Sequence, residues 1–70
     1  MITMLRASVL EALRRQPMTV HECAVELEQP VPSVQPRFSE LRAKAMIEDS
    51  GLRRRNALSG KNAIVWQVAA

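Results

Sequence analysis

Apolar residues recur at Ile2, Leu5, Val9, Ala12 and Leu13, the spacing of one helical face, and this stripe predicts a first helix in "TMLRASVLEALRRQP". Thr3 is placed to cap its start. Pro17 ends it at about Gln16, because the residue before a proline disfavours helical angles. Arg14 and Arg15 suit the negative end of the helix dipole. Met4 falls opposite the stripe, a position for plain surface or for self-association. A second helix opens at "TVHE", where Thr19 and Glu22 have the spacing of a capping box. Val20, Cys23, Ala24 and Leu27 share its apolar face. Glu22, Glu26 and Glu28 point outward, and the helix is expected to end near Glu28 or Gln29, before Pro30.

The third apolar stripe lies in "SVQPRFSELRAKAMIEDSG": Val34, Phe38, Leu41 and Ala45, with Met46 and Ile47 expected to continue the core. Pro36 fixes the expected start. With Ser33 as N-cap, Pro36 is the third helical residue, where a missing N–H breaks no bond, and only Gln35 is strained. An earlier start would place Pro36 in the hydrogen-bonded interior at a cost of about 3 kcal/mol. The outward face is then Gln35, Pro36, Ser39, Glu40, Arg42 and Ala43, flanked by Arg37 and Lys44.

After Ile47 the phrase "EDSG" reads as a break, and "LRRRNAL", "SGK" and "NAIVWQV" read as strand, turn and strand, with Ser59-Gly60 as the reversal. Ile64, Trp66 and Val68 alternate with Ala63, Val65 and Gln67, so Trp66 is expected to fill the core. A short third strand near Met18 is placed to join this hairpin. The predicted fold class is α+β, mainly α, in a single domain over residues 1–70.

Charge adds a bias to this outline. Residues 1–36 carry Arg6, Arg14 and Arg15 against four glutamates, a balance of −1, whereas residues 37–70 balance at +4. A basic half on so small a domain is the footprint of a polyanion binder. Chemistry of other kinds finds little material. Cys23 is the only cysteine and His21 the only histidine, too few for a disulfide or a tetrahedral metal site, so no metal and no cofactor is expected. Ser39 has no histidine at a useful spacing and no glycine-rich phosphate loop exists, so an enzyme is not expected. The longest apolar run, "AIVW", is far below the ~18–20 residues that cross a bilayer. The N-terminus shows no signal-peptide pattern, so a cytoplasmic protein with no membrane partner is the expectation.

Helix, helix, turn, helix and a basic-tipped hairpin, carried by "MTVHECAVEL", "SVQPRFSELRAKAMIEDSG" and "RRRNALSGKNAIVW", resemble the winged helix-turn-helix family over roughly residues 3–68. The phrases "PRFSEL" and "DSGLRR" are similar to those of small stand-alone bacteriophage and prophage proteins. The family often has glycine where this chain has Ala45, a departure that suggests a helix running on to Ala45. The resemblance implies binding of double-stranded DNA by a small transcriptional regulator, with the third helix in the major groove. Recognition would fall to Ser33, Gln35, Arg37, Ser39, Glu40, Arg42 and Lys44, and unpaired N–H groups at the helix start would hold a phosphate oxygen. Arg53, Arg54, Arg55, Lys61 and Asn62 would grip the backbone or enter the minor groove from the wing. One recognition helix per chain favours a homodimer on two half-sites. Two rival readings use the same scaffold: a module that docks on a host or phage protein through acidic helix two or the basic wing, and an architectural subunit that bends DNA.

Overall fold

A computed structural model describes residues 2–56 and 59–69, without the side chains of Ile2 and Thr3. Three helices, α1 (Ile2–Arg15), α2 (Val20–Leu27) and α3 (Val31–Ala43), precede an antiparallel hairpin of β1 (Ile47–Arg55) and β2 (Asn62–Val68). The fold is α+β and mainly helical. Among the described residues no helix is long and apolar enough to cross a membrane.

The sequence signals at α1 and α2 act much as their chemistry requires. Val9, Ala12 and Leu13 are buried along α1. The helix begins at Ile2, so Thr3 stands inside it and does not cap it. The first N–H groups of any helix lack intrahelical partners, so a start two residues earlier sacrifices no bond. The capping box forms in full: Glu22 N–H donates to Thr19 Oγ1 at 3.1 Å, and Thr19 N–H donates to Glu22 Oε1 at 2.9 Å. At the far end Glu28 adopts a left-handed conformation, φ 54°, and Gln29 N–H reaches back to the Ala24 carbonyl at 2.9 Å.

Helix α3 overturns the expected start. Ser33 is not the N-cap; Pro30 is, in extended conformation and without a side-chain hydrogen bond, and Pro36 lies inside the helix. Val31 packs against the core in the additional turn. The Pro30 carbonyl accepts from Ser33 N–H at 3.0 Å and from Val34 N–H at 3.3 Å. Pro30 and Pro32 preset the backbone of this turn through their rings. These gains outweigh the one bond Pro36 cannot donate. The inward stripe is therefore Val31, Val34, Phe38 and Leu41.

The end of α3 also differs from expectation. The helix stops at Ala43, and Ala45 leaves it at φ 59° as an exposed residue, so it neither extends the helix nor joins the core. Ala45 N–H donates to the Arg42 carbonyl at 2.9 Å and Met46 N–H to the Leu41 carbonyl at 3.0 Å, a Schellman closure. This reversal turns Met46 outward, 39% exposed, while Ile47 enters the core at 2%.

"EDSG" does not break the chain but lies within β1. Asp49 stands opposite Trp66 and Arg53 opposite Ile64, so Ser50, Gly51 and Leu52 bulge against the single residue Val65. Gly51 supplies the positive φ of 87° that the bulge needs. The third strand is reduced to a bridge: Met18 N–H donates to the Trp66 carbonyl at 3.0 Å and Trp66 N–H to the Met18 carbonyl at 2.9 Å. The strand expected to run on to Leu58 ends at Arg55; Ala57 and Leu58 are outside the described residues. One core joins the layers, with Val9, Cys23, Val34, Phe38, Leu41, Ile47 and Trp66 in a single buried cluster.

Candidate functional site

Side chains at i, i+4 and i+7 share a helix face, and the exposed residues Gln35, Ser39 and Arg42 form such a row on α3. They line one wall of a cleft of about 430 Å³. The hairpin supplies Asn56, Ala63, Ile64 and Trp66 opposite them, and His21 comes from the first turn of α2. Trp66 forms the floor: it is 9% exposed and tilts against Phe38 at a ring separation of 6.3 Å. The Arg42 guanidinium lies 5.6 Å from the indole centroid, within cation–π range.

Cross-strand register assigns the hairpin arginines to faces. Arg53 stands opposite Ile64 and Arg55 opposite Asn62, so both share the sheet face of Ile64 and Trp66. Arg54, opposite Ala63, reaches Glu22 of α2 instead. The reversal holds together through Asn56 N–H on the Lys61 carbonyl at 2.8 Å and Gly60 N–H on the Asn56 carbonyl at 2.7 Å.

Internal ion pairs divide the named residues into two groups. Glu40 accepts from Arg6 of α1 at 3.0 Å and from Arg37 Nη2 at 3.0 Å; Arg37 Nε lies 2.8 Å away without an aligned bond. Only 12% of the Arg37 side chain is exposed. Together with Ser33 it lines a separate groove between α1 and α3 with Met4, Pro32 and Pro36. Asp49 takes both ends of the Arg53 guanidinium, at 2.9 and 3.0 Å. By contrast, Arg42, Lys44, Arg55 and Lys61 make no ion pair among the described residues, and all four are exposed. Asn62 is exposed beside them.

Three of the paired acids, Glu22, Glu40 and Asp49, stay ionised to lower pH than ordinary carboxylates. Partial burial pushes Glu22 up, but hydrogen bonds from Arg54 and Thr19 N–H outweigh it and hold the group low. Desolvation likewise pushes Glu40 up, and the hydrogen bonds and charges of Arg6 and Arg37 overcome it and hold the group low. Arg53 leads the depression at Asp49, with Gly51 N–H adding to it.

Comparison with protein-family models, curated proteins and solved structures finds no match to this chain. The functional reading therefore rests on the surface itself. Of the seven residues named on the third helix, the structure brings Gln35, Ser39 and Arg42 together, leaves Lys44 exposed at the helix end, places Ser33 and Arg37 in the α1–α3 groove, and ties Glu40 to Arg6 and Arg37. The expected row of unpaired N–H groups at the helix start also thins out, since Pro32 has none and Ser33 and Val34 donate to Pro30. His21 and Trp66 were not among the sequence candidates for this site. The capping box was the available signal for His21, because it fixes the first turn of α2.

Proposed function

We propose that this chain is a small winged helix-turn-helix protein that binds double-stranded DNA, a regulator of the bacteriophage or prophage kind. The observation that carries the reading is the placement of the cations left without an internal carboxylate. Arg42 and Lys44 end α3, and Arg55 and Lys61 flank the tip of the hairpin. They bracket a polar helix row, Gln35, Ser39 and Arg42, beside the cleft. A helix enters the major groove with such a row facing base edges, where glutamine pairs with adenine and arginine with guanine. The wing cations then meet the phosphates or the minor groove. A second copy would supply the other half-site.

The rival docking module drew support from the acidic face of α2. Glu22 is tied to Arg54 and Glu26 lies 3.7 Å from Arg15, so that face presents less charge than the sequence implies. A salt titration on duplex DNA tests the proposal. Each phosphate neutralised contributes about −0.9 to the log–log slope, so Arg55→Ala with Lys61→Ala should make it shallower by about 1.8. Gln35→Ala should instead weaken the preferred sequence more than random duplex. No measurable affinity for any duplex at low salt would refute the reading.

A further inference from the structure

Asp49 stands on the DNA-facing side of the proposed wing, where an anion is out of place. It lies opposite Trp66, on the sheet face of Arg53 and Arg55. Its Oδ1 accepts from Gly51 N–H at 2.8 Å and from Arg53 Nη1 at 2.9 Å, and its Oδ2 accepts from Arg53 Nη2 at 3.0 Å. Arg42, over the neighbouring indole, also acts on this carboxylate through its charge. A carboxylate seated bidentately on an arginine presents the same planar pair of oxygens that a phosphate would.

We propose that Asp49 acts as an internal phosphate mimic, occupying Arg53 and so withholding it from the DNA backbone, so that sequence-independent binding is restrained and base contacts on α3 make up a larger share of the affinity. The inference rests on the DNA-binding reading. A cation held by an internal carboxylate is not available to a phosphate, which lowers the sequence-independent share of the affinity without touching the bases. The pair is built into the fold: the bulge at Ser50–Leu52 brings Asp49 and Arg53 within reach, and Gly51 makes the bulge possible.

Asp49→Asn separates charge from turn geometry, because the amide oxygen still accepts from Gly51 N–H. The probes are a random-sequence duplex and the duplex the wild type prefers, titrated over salt. The variant should bind random duplex more tightly, with a slope steeper by about 0.9, so its advantage over wild type grows roughly three- to fourfold between 200 and 50 mM salt. The preferred duplex should gain by a similar factor, because a phosphate contact carries no discrimination. In an Arg53→Ala background the same change should lose most of its effect. Arg53→Ala alone should leave the wild-type slope nearly unchanged, since that arginine is already occupied; a slope shallower by about 0.9 would overturn the inference even if Asp49→Asn does not fold. A lower melting temperature with an unaltered slope would also overturn it, leaving Asp49 a turn residue. Absence of wild-type binding to any duplex would remove the DNA reading itself, an outcome distinct from both.

Discussion

Replacing Pro36 by alanine should stabilise the protein. Pro36 is the sixth residue of α3, beyond the first turn in which a missing N–H breaks no bond. Its ring removes the bond to the Pro32 carbonyl and crowds that carbonyl, and an interior proline costs about 3 kcal/mol. Removing it also frees the unfolded chain, which gives back about 0.4–1 kcal/mol. The net gain is about 2 kcal/mol. For a domain of this size each kcal/mol moves the melting temperature by about 4–8 °C, so a rise of roughly 8–16 °C is expected. Pro36 is exposed, so the substitution opens no cavity. Circular dichroism melts and urea titrations measure the change. Pro32→Ala is the control: at the second helical position its nitrogen has no partner to lose, and the melt should stay unchanged or fall slightly. A Pro36→Ala melt at or below that of the parent would refute the argument that this proline interrupts the hydrogen-bond ladder.

Ala45→Gly should gain about 0.5–1 kcal/mol, since an L-residue at φ 59° is strained and glycine is not, whereas Ala43→Gly at the last residue of α3 should cost up to about 1 kcal/mol; chemical denaturation reads both signs. Leu41→Ala should cost about 2–5 kcal/mol because Leu41 is 1% exposed at the centre of the core, and a parental melt would contradict that packing. Glu22, Glu40 and Asp49 are all held below ordinary carboxylate values, so their contribution is complete above the unfolded-state values and is lost as pH falls through the folded ones. The melting temperature should therefore fall progressively below about pH 4, and Glu22→Gln should flatten that descent.

Local rules read well where side chain and backbone lie close in sequence. Thr19 and Glu22 announced α2 because a capping box is complete within four residues. Ile64 and Trp66 announced β2 by alternation, and the single buried thiol of Cys23, raised to about 11 chiefly by burial, matches its apolar neighbours. The start of α3 is not legible from the proline penalty alone. What outweighs it is tertiary: Val31 gains a place against the core only once α1 and α2 are packed. The bulge in β1 is hidden for a similar reason, since Ser50-Gly51 is a turn signal and only the pairing of Asp49 with Trp66 and of Arg53 with Ile64 carries the strand past it.

The candidate site was legible as a list of residue types but not as a charge map. Arg53, Arg54 and Arg55 are indistinguishable in sequence, yet the first is held by Asp49 four residues away and the second by Glu22 on another element. Arg55 has neither partner. Arg37 reads as an outward cation in the sequence, but Glu40, which also pairs with Arg6, holds it at the α1–α3 junction. Pairing between elements, as in Arg54–Glu22 and Arg6–Glu40, leaves no mark on spacing.

The position of Trp66 makes the molecule its own optical probe. It is the only tryptophan, and there is no tyrosine, so near-ultraviolet emission comes essentially from one indole. That indole touches Phe38 on the core side and lies beneath Arg42 at the cleft. Unfolding exposes it to water and should shift its emission to the red. A bound polyanion that draws Arg42 away from the ring should change intensity while the wavelength of maximum emission stays close to that of the folded state. A single fluorescence titration can therefore distinguish a ligand arriving at the cleft from a chain coming apart, without a label attached to the surface being tested.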